Sequence, residues 1–188
     1  ALLFTVCITC AALHAQTYPF RNSSLDDEKR LDNLISLMTL DEKIGQMSIF
    51  TTDWGSTGPT IRPGYEEDIR KGNCGALFNS HTVAFTRKLQ EIAVKESRLR
   101  IPLLFGYDVI HGYKTIFPIP LAESCSWDLA AMELSASIAA AEAAAAGLHW
   151  TFAPMVDISR EPRWGRVLEG AGEDPYLGSL IARARVHG

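Results

Sequence analysis

Cysteine is scarce in this sequence, and its placement favours no structural role. Of the four cysteines in 188 residues, Cys7 and Cys10 lie in an apolar N-terminal stretch. Cys74 and Cys125 remain, which are too few for a domain built on disulfides. Neither has a C-x-x-C partner or a histidine at metal-ligand spacing. We expect two isolated buried thiols, with a single bridge between them as the alternative.

A surplus of positive charge is absent as well. Lys and Arg number 18 against 22 Asp and Glu, which gives a net charge of −4 at pH 7. Nucleic acids and anionic membrane surfaces bind basic faces, and no cluster of Lys and Arg stands out. We therefore expect neither a nucleic-acid partner nor a membrane partner. The hydrophobic fraction of 47% is ordinary for a globular chain.

The most apolar segment is also short. Residues 1–16, "ALLFTVCITCAALHAQ", cannot cross a bilayer and end in small residues. This pattern is typical of the apolar core and cleavage site of a secretory signal peptide whose start is missing. We expect residues 1–16 to be a signal peptide and the protein to be exported, to the periplasm or the cell exterior. A buried first strand or helix is the alternative.

Strand and helix patterns alternate through the rest of the chain. Capping signals at Ser24 and Thr39 predict two early helices, and the composition of residues 51–64 predicts a loop. Three apolar runs then predict buried strands, each followed by a helix. The strands are residues 75–79, 101–112 and 148–158, and the helices are residues 83–97, about 127–146, and from Asp174 onward.

Such alternation predicts an α/β fold with a parallel sheet. Because no G-x-G-x-x-G or phosphate-binding loop follows any of the strands, a nucleotide-binding fold is disfavoured. A (β/α)8 TIM-like barrel is favoured, but it needs about 250 residues. We therefore expect the N-terminal part of such a barrel, with three strand–helix units, incomplete in this chain.

Polar residues follow the predicted strands at their carboxyl ends. Asn79 follows the first strand, Asp108 and His111 the second, and Asp157 the third. In parallel α/β folds this edge of the sheet is where ligands bind. The third strand also leads directly into a highly charged loop that ends near Asp174. This loop is either a solvated surface loop or a place where a polar, ring-shaped ligand binds.

Three blocks of sequence carry a specific resemblance. "MTLDEKIGQM" (38–47), "GYDVIHG" (106–112) with the following "FPIPLAESCSWD", and "TFAPMVDISREPRWGRVLEGAGEDPYL" (151–177) resemble the N-terminal part of a family 3 glycoside hydrolase of the periplasmic β-glucosidase type. The blocks occur in the family's order and at natural spacing. The resemblance implies that residues 17–188 are the N-terminal portion of the family's barrel domain.

The resemblance also implies a role for two charged residues. Asp108 matches the family's acid that binds sugar hydroxyls, and a carboxylate can accept from two neighbouring hydroxyls. Arg166, which closes "PRWGR", matches a substrate-binding arginine whose fork of donors can hold ring hydroxyls. The alternatives are a helix-capping or Lys-paired acid for Asp108 and an ion pair within the loop for Arg166.

The other polar residues of this region have weaker indications. Trp164 is either a stacking platform for sugar or a packing residue, and Glu169 and Asp157 are acids able to support the site. His111 is more typical of a structural hydrogen bond than of a ligand. A salt-bridged loop is expected from Arg160, Glu161 and Arg163.

The catalytic groups are expected elsewhere. A retaining glycosidase needs a nucleophilic carboxylate and an acid/base about 5 to 5.5 Å apart. The family's "SDW"-type block, which carries the nucleophile, and its "KHF" block are both absent here, and the acid/base comes from a later domain. We assign no catalytic residue, metal or cofactor to this chain. We expect it to be inactive without the downstream half of the polypeptide.

The function implied by the resemblance is that of an exo-acting retaining β-glucosidase, which releases non-reducing-end β-D-glucosyl residues. A β-xylosidase or exo-glucanase of the same family is an alternative, as is a non-catalytic carbohydrate-binding protein. A metalloenzyme barrel using Asp108, His111 and Asp157 is a third possibility of a different class.

Overall fold

The structure is a computed structural model that describes residues 18–55 and 58–188. The signal peptide expected at residues 1–16 lies outside this range. The chain divides into two compact units, one ending at Thr39 and one running from Leu40 to Gly188. Within the described range, no helix combines the length and the apolar character needed to cross a membrane.

The first unit is a short turn followed by one helix. A 3-10 turn at Pro19–Arg21 precedes α1, Asp27–Leu37. The helix is capped by Asp26, whose carboxylate accepts from the Glu28 amide at 3.1 Å. The cap predicted at Ser24 was therefore wrong by two residues, because the carboxylate of Asp26 reaches the first free amides of the helix.

The second unit contains six helices and six strands in its described residues. The helices are α2 Leu40–Gln46, α3 Tyr65–Lys71, α4 Val83–Glu96, α5 Pro120–Ser124, α6 Leu129–Ala145 and α7 Pro175–His187. The strands are β1 Ile49–Thr51, β2 Asp53–Gly55, β3 Gly58–Thr60, β4 Ala76–Phe78, β5 Leu104–Tyr107 and β6 Trp150–Thr151. Three helices have side-chain caps, in which Thr82, Asp128 and Asp174 accept from amides of the first turn.

Four strands form one parallel sheet in the order β1-β4-β5-β6. The register places Ile49 beside Ala76, and Ala76 beside Leu104. The prediction of three strands was wrong, because β1 is only three residues long and lacks the apolar run of a buried strand. The segment predicted as a loop also holds an antiparallel pair, β2 with β3.

Helices cover one face of this sheet. Leu77 and Phe105, less than 2% exposed, pack with Leu89 of α4 and Ala139 of α6. Side chains that alternate with them point the other way, and that face is open, with four exposed apolar residues: Ile49, Leu104, Trp150 and Phe152. A doubly wound sheet carries helices on both faces, whereas a barrel carries them only outside. The unit is thus part of a (β/α)8 barrel, as predicted.

The edge of the sheet where the strands begin is closely packed. A Cβ built on Gly45 of α2 would lie 2.0 Å from the Gly72 carbonyl oxygen, so only glycine lets the backbones approach this closely. Beside it, Arg98 donates from Nε to Glu42 Oε1 at 3.0 Å, and its Nη2 contacts the other carboxylate oxygen. This ion pair joins α2 to the segment between α4 and β5.

The two cysteines of this unit are both free. Cys74 is buried, as expected, but Cys125 is exposed at the surface end of α5, so the expectation of a second buried thiol was wrong. Burial raises the pKa of the Cys74 thiol to about 11.

Candidate functional site

A cavity of about 620 Å³ opens at the carboxyl edge of the sheet, on its uncovered side. Cavities of about 300 to 1,000 Å³ are typical of small-molecule sites. Its walls come from β1, β4, the residue after β5 and the segment after β6. The polar lining consists of Thr51, Asp108, Asp157 and Arg166, and the apolar lining includes Phe78, Phe152, Pro154 and Met155.

Asp108 is placed in the cavity by the alternation of strand β5. It follows Tyr107 directly, and the next residue, Val109, is buried in the helix-covered core. The carboxylate of Asp108 therefore points to the open side. Burial raises the pKa of Asp108, the positive charge of Arg166 lowers it, and the negative charge of Glu169 raises it again.

Arg166 and Glu169 form a bidentate ion pair across a 3-10 turn at Val167–Glu169. Arg166 Nε donates to both carboxylate oxygens at 3.0 and 3.1 Å, and Nη2 donates to Oε2 at 2.6 Å. This pairing raises the pKa of Arg166 and lowers that of Glu169. The ion pair weighed as an alternative role for Arg166 is present, and the same guanidinium also lines the cavity.

Arg166 carries the positive charge among three acids. Besides Glu169, the carboxylates of Asp108 and Asp157 raise the pKa of its guanidinium. Asp157 lines the cavity with them. Glu169 does not line this cavity but a small void behind the loop. It is connected to the cavity through its ion pair with Arg166. The cavity therefore offers hydrogen-bond acceptors, the carboxylates of Asp108 and Asp157, beside a hydrogen-bond donor, the guanidinium of Arg166. Because a hydroxyl both donates and accepts, this lining suits a ligand rich in hydroxyl groups.

Trp164 is outside the cavity as far as the described residues show. Its side chain is among the exposed apolar residues of the loop, and its backbone helps to fold that loop, with the Trp164 amide donating to Glu161 O at 3.1 Å. Glu161 pairs with Arg163 at 2.7 Å, which lowers the pKa of Glu161 to about 2. That part of the predicted salt-bridged loop is present.

His111 makes a structural hydrogen bond. Its Nδ1 lies 3.0 Å from the Phe117 carbonyl, and the Phe117 amide donates to the His111 carbonyl at 2.8 Å. These two contacts close the loop that follows Asp108. In the part of the chain that the structure describes, no group of three or more His, Cys, Asp or Glu residues is arranged to hold a metal ion.

The apolar residues of the cavity were not found from the sequence. Phe78 and Phe152 meet edge to face with ring centroids 5.1 Å apart, and the rings of Trp150 and Phe152 lie tilted by 33° with centroids 4.5 Å apart. The signal for Phe78 was available, because its place at the end of β4 puts it on the same face as Gly106 and Asp108. Phe152 could not be placed without knowing where β6 ends.

Comparison with known proteins identifies the same family in sequence and in structure. The family model described as the glycosyl hydrolase family 3 N terminal domain matches residues 39–188. The chain is 44% identical over 170 residues to a periplasmic β-glucosidase of Salmonella typhimurium, an alignment that covers 89% of this chain and 22% of that protein. It is 28% identical to a putative β-xylosidase of Formosa agariphila, covering 98% of this chain and 26% of the relative.

Solved structures agree with the sequence comparison. A β-glucosidase from Listeria innocua in complex with isofagomine superposes with a TM-score of 0.75 at 44% identity, over 87% of this chain and 23% of that one. The same enzyme in complex with glucose gives 0.75 at 42% identity, over 86% and 23%. The chain thus spans about a quarter of the length of the relatives it matches.

Proposed function

The chain belongs to glycosyl hydrolase family 3, and on this premise we propose that it builds the glucose-binding part of an exo-acting, retaining β-glucosidase. The observation that carries the proposal is the pairing of Asp108 and Arg166, of opposite charge, in one cavity lined by aromatic rings. Relatives named as β-glucosidases, one of them solved with glucose, support this substrate class.

The chemistry of the two side chains fits a terminal sugar. The carboxylate of Asp108 accepts hydrogen bonds from two adjacent hydroxyls, and Arg166 donates to a third oxygen. Because Glu169 already holds Nε and Nη2 of Arg166, the guanidinium is fixed before sugar arrives. A group fixed in advance loses little side-chain entropy on binding. Asp108 and Arg166 are therefore the residues we assign to substrate binding, with Glu169 as support and Trp164 as part of the loop.

The bond-breaking groups are assigned to the remainder of the longer protein. Retention requires two carboxylates about 5 to 5.5 Å apart, one on each side of the glycosidic bond. The acids that line this cavity, Asp108 and Asp157, are proposed instead to hold hydroxyls. We propose that residues 17–188 supply the first part of the barrel and that the downstream half supplies the nucleophile and the acid/base. Export to the periplasm is proposed from the similarity to a periplasmic relative.

A β-xylosidase is the second candidate, because several relatives at 28% identity carry that name. Xylose lacks the hydroxymethyl group of glucose, so the two sugars are distinguished by the space and partners at that one position. The full-length protein should show a kcat/KM on 4-nitrophenyl β-D-glucoside at least about 10-fold above that on the β-D-xyloside, the scale of discrimination that one small group gives.

The same assay separates the remaining alternatives. Preference for the xyloside overturns the choice of glucose within the family. Hydrolysis of neither substrate, with glucose still binding in a calorimetric titration, indicates a non-catalytic carbohydrate-binding protein. Anomeric analysis of the product by NMR tests retention, because an inverting enzyme releases the α-anomer first.

A further inference from the structure

Behind the candidate site lies a buried ion pair that the binding of sugar does not use. The side chains of Glu123 in α5 and Arg185 in α7 are 9% and 6% exposed, and Arg185 Nη1 contacts Glu123 Oε2. The other oxygen of Glu123 accepts from Ser135 Oγ in α6 at 2.6 Å. Three helices therefore meet at one carboxylate.

The same arginine reaches the loop that begins at Asp108. Arg185 Nη2 donates to the carbonyl of Ile110 at 2.7 Å, two residues beyond Asp108. Val109, between them, is buried in the core. The backbone that carries the carboxylate is thus held on both sides, by strand β5 before Asp108 and by Arg185 after it.

Stability alone does not account for a charged pair in this place. Removing two charges from water costs roughly what their attraction returns, and apolar residues of similar volume often serve a fold as well. An apolar pair, however, would leave the Ile110 carbonyl without this donor. The contact that distinguishes Arg185 from an apolar residue is therefore the one to the loop.

We propose that Arg185, with Glu123 as its counter-ion, is a positioning residue that fixes the loop after β5 and thereby the carboxylate of Asp108. This inference rests on the proposed sugar-binding role of Asp108. A carboxylate that accepts from two hydroxyls must be held within a fraction of an ångström, and a displacement of about 1 Å costs on the order of 100-fold in rate.

The test is a double-mutant cycle in the full-length protein. Arg185→Lys keeps the charge beside Glu123 but loses the fork that spans Glu123 and Ile110. We expect kcat/KM on 4-nitrophenyl β-D-glucoside to fall about 10- to 100-fold. In an Asp108→Asn background the same change should have an effect below about 3-fold, because a residue that acts through Asp108 has nothing left to position. An equal loss in both backgrounds overturns the proposal.

A control comes from Arg98, a second arginine that pairs with a glutamate whose side chain is 9% exposed. Arg98→Lys makes the same substitution beside Glu42, at the opposite edge of the sheet, and should leave the kinetic constants unchanged. Comparable losses for Arg98→Lys and Arg185→Lys mean that the effect is general destabilisation, which contradicts the proposal.

A second variant carries the test if lysine at position 185 prevents folding. Glu123→Leu with Arg185→Met replaces the pair by apolar groups and should fold, yet it should lose activity to the same extent. If the double variant folds and has the kinetic constants of the parent, the positioning role of Arg185 is overturned, but the sugar-binding role of Asp108 is not. Parent-like kinetics for Asp108→Asn overturn the proposed function itself, so the two failures are distinguishable.

Discussion

Asp108 and Arg166 come from different strand–helix connections, yet their side chains line one cavity with opposite charge. The arginine lowers the pKa of the aspartate, while burial raises it. This relationship follows from a parallel sheet, because all its strands end at the same edge and deliver their next residues to one place. The site is therefore a product of the topology, and its electrostatics are set by the loop that holds Arg166.

Glu169→Gln should shift the pH dependence of hydrolysis to lower pH. The negative charge of Glu169 raises the pKa of Asp108, and its ion pair occupies the Arg166 guanidinium. Removing that charge lowers the pKa of Asp108 on both counts, so the ionised, hydroxyl-accepting form persists to lower pH. In the full-length protein the acid limb of the profile of kcat/KM against pH is the measurement.

Glu161→Gln serves as the control for that experiment. Glu161 lies in the same loop and pairs with Arg163, and it is not among the residues that shift the pKa of Asp108. Its acid limb should match that of the parent. If the apparent pKa of the acid limb is unchanged or raised in Glu169→Gln, the proposed electrostatic effect of Glu169 on Asp108 is contradicted.

Gly45→Ala should destabilise the fold although Gly45 lies in a helix. Helix propensity favours alanine over glycine by about 1 kcal/mol. A Cβ at this position, however, would lie 2.0 Å from the Gly72 carbonyl oxygen. Displacing packed backbone costs about 1 to 3 kcal/mol or more, so the clash outweighs the propensity. A lower midpoint of thermal unfolding is expected.

Gly165→Ala is the matched comparison, because a Cβ there would meet nothing within 4 Å. Its unfolding midpoint should stay close to that of the parent. Equal midpoints for both variants mean that α2 does not approach the α3–β4 connection as closely as described.

Cys74 and Cys125, the free cysteines among the described residues, should differ in reactivity. Cys74 is buried with a pKa of about 11, whereas Cys125 is exposed. Since the thiolate is the reactive form, iodoacetamide at pH 8 should alkylate Cys125 and leave Cys74 unmodified in the native protein. Peptide mass spectrometry gives the extent at each site, and rapid modification of Cys74 contradicts the packing around β4. Denatured protein, in which both react, is the control.

The sequence predicted best those elements whose signals are local. The helices after β4 and after the charged loop carry apolar stripes, the helix after β5 is rich in alanine with Asp128 at its start, and all three form. Strand β1 was missed because it has only three residues and two of them, Ile49 and Thr51, face the open side of the sheet, where no apolar run is needed. Strand β6 was overestimated because Pro154, which lacks an amide hydrogen, cannot continue the ladder.

The candidate site divides in the same way. Asp108 was placed at a strand end by pattern, and its position in the cavity follows from that pattern. The pairing of Arg166 with Glu169 depends on a 3-10 turn, and so short a turn has no periodic pattern in the sequence that would predict it. The contact from Arg185 to Ile110 joins residues far apart in sequence, and only the packed helices bring them together.

The central claim is that Asp108 binds the sugar, and Asp108→Ala in the full-length protein tests it most directly. Two charge-assisted hydrogen bonds contribute about 1.5 to 3 kcal/mol each. Their loss should lower kcat/KM on an aryl β-glucoside by about 10² to 10⁴. The thermal midpoint should change little, because the carboxylate faces a cavity and not the core. Kinetic constants equal to those of the parent would show that Asp108 is only an acid at the end of a strand and would contradict the account.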